Sequence, residues 1–247
     1  MAKTPPPRRS LVARMRAAGG IVVACVSTKG GVGKSTLAYN LADEYADRGA
    51  TVLLINTDIQ RTVVDAYAMR ETPARFEVLH YPHESLWRDF ARLRAGHDVV
   101  VIDGQGRNDV ITRAGVTAAA QDEHGVILIP VVASPPDVWA TKRDMAPIIT
   151  AARELAWALR VRTVLMRYDD KELITTAARE ALAAAPVIAP PTQTDIPRRT
   201  IYTQAISEGL SVREYDPRGA AAREIAALAT ELATLALTDP EQKETPQ

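Results

Sequence analysis

The sequence has one cysteine, no long apolar stretch and no excess of charge of either sign. Because Cys25 is its only cysteine, an internal disulfide, a CxxC redox pair and a cysteine-only metal cluster are excluded. No apolar run reaches the roughly 18–20 residues that a membrane span needs. Arginines interrupt the short apolar segment near the N-terminus, which is not typical of a signal peptide. We therefore expect a cytoplasmic protein.

The charges of the chain cancel. Thirty basic and thirty acidic side chains leave a formal net charge of zero. The whole protein therefore does not attract nucleic acid, and any contact with DNA requires a local basic patch. A hydrophobic content of 47% in 247 residues is ordinary for a globular protein and allows one large α/β domain or two small ones.

Short β-branched runs alternate with longer helical segments along most of the chain. The predicted strands are 21–26, 51–56, 98–103, 125–132, 161–166 and, more weakly, 187–189. The predicted helices are 34–48, 84–95, 108–120, 136–158, 170–185, 199–208 and 218–237. This alternation predicts an α/β fold with a mostly parallel sheet flanked by helices on both faces.

Three segments are expected along the chain. Residues 1–19 are basic and rich in proline, which predicts a disordered N-terminal arm, with a DNA-touching or partner-binding arm as the alternative. Residues 20–237 are expected to form a single domain. Residues 238–247 are polar, contain two prolines and are expected to form a flexible tail.

A glycine-rich loop joins the first predicted strand to the first long helix. It consists of Lys29, Gly30, Gly31, Val32, Gly33, Lys34, Ser35 and Thr36. Glycine lacks Cβ, so the backbone N–H groups of such a loop can approach phosphate oxygens. The N-terminus of the following helix adds unpaired donors and partial positive charge. Lys34 can reach the β- and γ-phosphates, the Ser35 hydroxyl can bind Mg²⁺, and Thr36 is placed for the α-phosphate.

An acidic residue ends the strand predicted at 98–103. Four apolar residues precede Asp103, and a carboxylate in this position can hold Mg²⁺ through a water molecule. Together with the loop, Asp103 predicts a P-loop site for a nucleoside triphosphate and magnesium.

The loop resembles the deviant Walker A motif of the ParA/MinD family of ATPases. Thr28 replaces the first glycine of the general GxxxxGK[ST] motif, and Lys29 provides the additional lysine that marks this group. Asp58 and Gln60 match the family's D-x-D-P-Q segment, in which Asn56 and Ile59 take the places of the first aspartate and the proline. The resemblance covers about residues 20–237 and is closest to the small plasmid-partition ParA proteins.

This resemblance implies ATP hydrolysis with ATP and Mg²⁺ as ligands. Ser35, Asp58 and Asp103 are the implied residues at the metal, and Asp58 is implied to position the attacking water. Lys29 is implied to cross to the nucleotide of a second subunit, which makes ATP the link of a homodimer; higher-order assembly is left open.

The resemblance also implies non-specific DNA binding in the ATP-bound state and a ParB-like adaptor that stimulates hydrolysis. These properties would place the protein on the nucleoid. Candidate DNA-binding residues are Arg167, Arg198, Arg199, Arg213 and Arg218. Only some 20 residues precede the ordered region, too few for a helix-turn-helix domain.

Several cargoes remain open at this point. Plasmid or chromosome partition is the first interpretation, and positioning of a microcompartment or a chemoreceptor cluster is the alternative, because the adaptor chooses the cargo. A MinD-like membrane switch would need a basic amphipathic C-terminal helix, whereas residues 238–247 carry Asp239, Glu241 and Glu244. His80 and His83 flank Pro82 in a segment expected to be a loop rather than a metal site.

Overall fold

The computed structural model describes residues 8–155, 159–169, 173–184 and 189–238. The strands within these ranges are β1 (Ile21–Cys25), β2 (Val52–Asn56), β3 (Glu77–His80), β4 (Val99–Asp103), β5 (Gly125–Val132), β6 (Arg160–Tyr168) and β7 (Ile196–Pro197). The helices are α1 (Arg8–Ala17), α2 (Lys34–Asp47), α3 (Thr62–Ala68), α4 (Leu86–Arg94), α5 (Val110–Ala120), α6 (Pro135–Leu155), α7 (Leu173–Ala183), α8 (Ile201–Ser207), α9 (Val212–Tyr215) and α10 (Ala220–Ala236).

All strand pairs are parallel, in the order β3-β2-β4-β1-β5-β6-β7. Every residue of β1, β2 and β4 is buried, as expected for parallel strands covered on both faces. The apolar runs of the sequence therefore correspond to central strands. Their carboxyl ends meet at one edge of the sheet, where ligands bind in this class of fold.

Helices cover both faces of the sheet. Leu11 of α1, Tyr39 of α2 and Leu228 of α10 belong to one apolar core, which includes Cys25 at the end of β1. Phe90 of α4 belongs to the other, to which α5, α6 and α7 also contribute. The predicted P-loop α/β fold is confirmed.

Two strands lie outside the predicted set. The strand β3 pairs with β2 at one edge of the sheet, and its four residues are exposed or only half-buried, so it lacks the apolar run that marks a central strand. The short β7 lies at the opposite edge. The weaker strand predicted at 187–189 lies outside the described residues except for Ala189, which is not in a strand.

The prediction of a disordered arm over residues 1–19 is wrong for residues 8–17, which form α1. Leu11, Val12 and Met15 are buried because their spacing places them on one face of the helix, against the core. Arg16 then holds the end of the helix with an ion pair of 2.9 Å to Asp98. Residues 1–7 and 239–247, which belong to the predicted arm and tail, lie outside the described residues.

We predict that Met15→Ala lowers the free energy of unfolding by about 2–5 kcal/mol, because it leaves a cavity where a fully buried side chain packs. Chemical denaturation of the two proteins measures this difference. The exposed neighbour Arg14 provides the control, and Arg14→Ala should change stability by less than about 0.5 kcal/mol. Equal stability of Met15→Ala and wild type would show that α1 is not part of the core.

Candidate nucleotide-binding site

The glycine-rich loop leaves β1 and enters α2 at the carboxyl edge of the sheet. Gly31 and Gly33 have φ of 71° and 100°, a left-handed region that favours glycine. A Cβ on Gly33 would lie 2.7 Å from Cε of Met166. Gly33 is also the N-cap of α2, so the first N–H groups of this helix face the concave side of the loop, where an anion can bind.

The Lys34 ammonium lies inside the loop. Its Nζ donates a 2.7 Å hydrogen bond to the carbonyl oxygen of Lys29, and the side chain is buried. Burial lowers the pKa of Lys34, although Asp103 and Asp58 act in the opposite direction. A phosphate group can replace the carbonyl as the partner of this ammonium and supply a full negative charge.

The Asp103 carboxylate ends β4 and is fully buried. Ser35 donates to its Oδ1 at 3.2 Å and Asn56 donates to its Oδ2 at 3.1 Å. Burial raises the pKa of Asp103 to about 7, although both hydrogen bonds oppose the change. A hydroxyl and a carboxylate in contact are oxygen ligands of the kind that Mg²⁺ prefers, completed by nucleotide phosphates and water. These residues therefore fit a magnesium site.

Asp58 lies in the turn between β2 and α3. Its Oδ1 accepts a hydrogen bond of 2.9 Å from the Gln60 amide, and Arg61 in the same turn has a left-handed φ of 58°. Asp58 influences the pKa values of both Lys34 and Asp103 electrostatically. The turn after β2 thus lies at the same edge of the sheet as the phosphate loop and Asp103.

The Lys29 ammonium is held by a partner that the sequence did not predict. It forms a 2.5 Å ion pair with Asp137, in the first turn of α6, and Ser134 donates to the other carboxylate oxygen at 2.6 Å. Burial alone would raise the pKa of Asp137, but the bonds from Lys29 and Ser134 hold it below its usual value. In the sequence, residues 134–137 show only the pattern of a helix N-terminus. That pattern does not predict an ion pair between Asp137 and Lys29.

The loop after β4 touches the phosphate loop. A Cβ on Gly106 would lie 2.9 Å from Cα of Gly30 and 3.0 Å from Nζ of Lys34. Glycine at this position therefore allows the backbone to approach closely. A phosphate bound by Lys34 would contact the same region, which is consistent with a loop that responds to the nucleotide.

A cavity of about 530 Å³ opens beside Gly33 and Thr36. Its other walls include Met166, Pro197 and Tyr202. Its size is within the range of small-molecule sites, and its lining combines apolar side chains with arginines and threonines. The cavity continues the phosphate loop toward β7, where the nucleoside part of a nucleotide can lie.

Three of the five candidate DNA-binding arginines line this same cavity. They are Arg167, Arg198 and Arg199, and all three are exposed. Arg199 also forms an ion pair of 2.6 Å with Glu224 of α10. They lie beside the phosphate loop, on the wall of the cavity that continues it.

The other two candidates lie elsewhere. Arg213 forms ion pairs of 2.8 Å with Asp43, which is fully buried, and of 3.1 Å with Asp47, so its guanidinium joins α9 to α2. Arg218 is exposed in the turn before α10. The structure therefore does not gather all five arginines at one cavity.

Residues 23–212 match the family described as the CobQ/CobB/MinD/ParA nucleotide binding domain. The chain belongs to this family. The predicted ParA/MinD resemblance is confirmed, and the predicted ATPase that uses ATP and Mg²⁺ is confirmed at the level of the family. The chain is also 30% identical over 203 residues to the maintenance of carboxysome distribution protein A of Halothiobacillus neapolitanus, covering 81% of this chain and 90% of the relative.

Solved structures share the fold at low sequence identity. The ATP complex of a Cyanothece McdA variant superposes with a TM-score of 0.67 at 16% identity, covering 92% of this chain and 99% of that one. The cell division ATPase MinD of Pyrococcus furiosus gives 0.67 at 19%, covering 87% and 99%. A ParA family ATPase of Chlorobium tepidum gives 0.61 at 16%, covering 86% and 98%. Across the described part of this chain, no helix is both apolar enough and long enough to span a bilayer.

We predict that magnesium binding weakens below neutral pH because protons compete for the Asp103 carboxylate, whose pKa is about 7. With saturating ADP, lowering the pH from 7.5 to 6 should reduce the apparent metal affinity about tenfold. Electron paramagnetic resonance of free Mn²⁺ measures the affinity. Asp103→Asn is the control, because it shares the titration of the nucleotide phosphates and lacks the carboxylate; the same pH dependence in both proteins would contradict the assignment.

Proposed function

We propose that this protein is an ATP-driven dimerising switch that distributes a cargo over the nucleoid. The observation that carries the proposal is the position of Lys29. This lysine lies in the phosphate loop, yet its ammonium bonds outward to Asp137, while Lys34 occupies the interior of the loop. One lysine is thus available for the protein's own nucleotide and the other for a second nucleotide.

Hydrolysis transfers the γ-phosphoryl group to water, and such a reaction requires charge neutralisation and a water held in line. The loop amides, the N-terminus of α2 and Lys34 bind the phosphates. Ser35 and Asp103 would hold Mg²⁺, which would supply positive charge to neutralise the phosphates. Asp58 orients the attacking water from the turn after β2.

In this proposal, the dimer forms when the Lys29 ammonium exchanges its ion-pair partner. In the single chain, the ammonium neutralises the Asp137 carboxylate at 2.5 Å. In the dimer, Lys29 leaves Asp137 and binds the phosphates of the neighbouring subunit, which carry more negative charge. Nucleotide in both subunits is then required for the contact, so dimerisation depends on ATP and hydrolysis reverses it.

DNA binding by the dimer needs only modest basic patches, because doubling them raises the affinity steeply. Arg218 is the candidate whose side chain is exposed and lies outside the nucleotide cavity. Arg167, Arg198 and Arg199 beside the nucleotide cavity can contribute where they face outward. Arg213 contributes its charge only within its ion pairs to Asp43 and Asp47.

Two cargoes fit this mechanism. A protein microcompartment is favoured by the relative at 30% identity, whose name refers to carboxysome distribution. A plasmid or chromosome, bound through a ParB-like adaptor, is favoured by the resemblance of the phosphate loop to that of the small partition proteins. In either case the adaptor recognises the cargo and stimulates hydrolysis, while this chain supplies the switch.

We predict opposite effects of two substitutions at the ion pair. Lys29→Ala should bind ATP with near wild-type affinity and remain monomeric, because the ammonium that reaches the second nucleotide is missing. Asp137→Ala releases Lys29 and should dimerise at lower ATP concentrations, by about threefold or more. Size-exclusion chromatography with a non-hydrolysable ATP analogue measures both. A Lys29→Ala dimer of wild-type strength would refute the proposed switch.

We predict that Arg218→Glu weakens ATP-dependent retention on non-specific DNA and lowers its salt dependence, because one phosphate contact per subunit is lost. Filter retention at increasing salt measures both effects. Arg14→Glu, at an exposed position on α1, is the matched control for charge. Arg213→Glu is unsuitable here, because it leaves the buried Asp43 carboxylate without its ion pair and destabilises the fold. Equal retention by Arg218→Glu and Arg14→Glu would place the DNA contact elsewhere.

A further inference from the structure

Three polar residues form a row across the carboxyl ends of neighbouring strands. In the register of the sheet, His80 of β3 lies beside Asn56 of β2, and Asn56 lies beside Asp103 of β4. Residues at the same register on adjacent parallel strands direct their side chains to the same face, and the strands are about 4.8 Å apart. The sheet therefore brings the three side chains into contact.

Hydrogen bonds connect this row in one direction. Nδ1 of His80 is 2.8 Å from Oδ1 of Asn56, and Nδ2 of Asn56 donates to Oδ2 of Asp103 at 3.1 Å. With magnesium bound, Asp103 would be ionised and could only accept hydrogen bonds, so Asn56 would present its NH₂ group to it. Its oxygen then faces His80, whose Nδ1 must carry the proton. Asn56 is fully buried, so no bulk water can replace either partner.

The row ends at the magnesium site. The second oxygen of Asp103 accepts the hydrogen bond from Ser35 at 3.2 Å. Thr57 holds the backbone of Asp103 separately, since its amide and hydroxyl both donate to the Asp103 carbonyl oxygen at 2.9 Å. Thr57 therefore holds the backbone of Asp103, whereas the hydrogen bond from Asn56 fixes the rotation of its carboxylate.

An amide at position 56 can donate one hydrogen bond and accept another, whereas a carboxylate there can only accept. Asn56 donates to Asp103 and accepts from His80 at the same time. An aspartate could accept from His80, but it would place a second negative charge against Asp103 and offer no donor. Asn56 is the residue that departs from the family's D-x-D-P-Q pattern. Its oxygen can accept a hydrogen bond from His80, which lies opposite it on β3.

We propose that His80 is a positioning residue of the magnesium site: it fixes the amide of Asn56, which holds the Asp103 carboxylate with one oxygen toward Ser35 and the metal. This proposal rests on the proposed nucleotide function. Partners that orient a metal ligand from outside commonly change metal affinity by about 10–100-fold when they are removed. His80 would orient Asp103 from the edge strand β3, through the side chain of Asn56.

Two substitutions of similar size separate hydrogen bonding from packing. His80→Asn keeps an N–H donor near the position of Nδ1, whereas His80→Leu fills the space without a donor. His83→Leu, in the exposed loop that follows, is the matched control. For each protein, Mn²⁺ affinity in the presence of ADP is measured by electron paramagnetic resonance, together with ADP affinity in the absence of metal and the midpoint of thermal unfolding.

We expect His80→Leu to bind Mn²⁺ about tenfold or more weakly, with metal-free ADP affinity within about twofold of wild type. His80→Asn should recover most of the metal affinity, and His83→Leu should match wild type. Wild-type metal affinity in His80→Leu would overturn the proposal, and so would an equal loss in His80→Asn and His80→Leu. A wild-type protein that binds no Mn²⁺ with ADP would overturn the nucleotide function itself, and this proposal with it.

Discussion

At the carboxyl ends of the central strands, the Lys34 ammonium and the Asp103 carboxylate are buried in surroundings that disfavour their charged forms. Burial lowers the pKa of Lys34 and raises that of Asp103, and in the single chain their hydrogen-bond partners are a carbonyl, a hydroxyl and an amide. A triphosphate with magnesium supplies negative charge to the first and positive charge to the second. Nucleotide binding thereby offsets the free-energy cost of burying these two charged groups.

Two kinds of contact connect this edge to the rest of the molecule. The loop after β4 lies directly against Gly30 and Lys34 through close backbone packing. Lys29 and Asp137 join the phosphate loop to α6 by charge. The first contact lies within one subunit, and in the proposed dimer the second would be exchanged for a contact with another subunit. A switch requires both properties, because the bound nucleotide must be detected and then reported outward.

Much of this site was predictable because glycine spacing and strand-ending acids carry strong signals. Residues 29–36 span the turn from β1 into α2, and Asp103 ends β4, as the sequence predicted. The helix α1 was missed because its proline-rich and basic surroundings masked three buried residues. The strand β3 was missed because an edge strand needs no apolar run, and the contact of His80 with Asn56 was missed with it. Asp137 was missed because ion pairs between distant segments leave no periodic pattern.

The thiol of Cys25 has a practical consequence. It ends β1 in the apolar core with no exposed surface, and burial raises its pKa above the usual range, so the reactive thiolate form is scarce and out of reach of reagents. The wild-type chain therefore behaves toward maleimides as if it contained no cysteine. A single cysteine placed on the surface would carry a spin label or fluorophore alone, and distances between two labelled copies could be measured without removing a native residue.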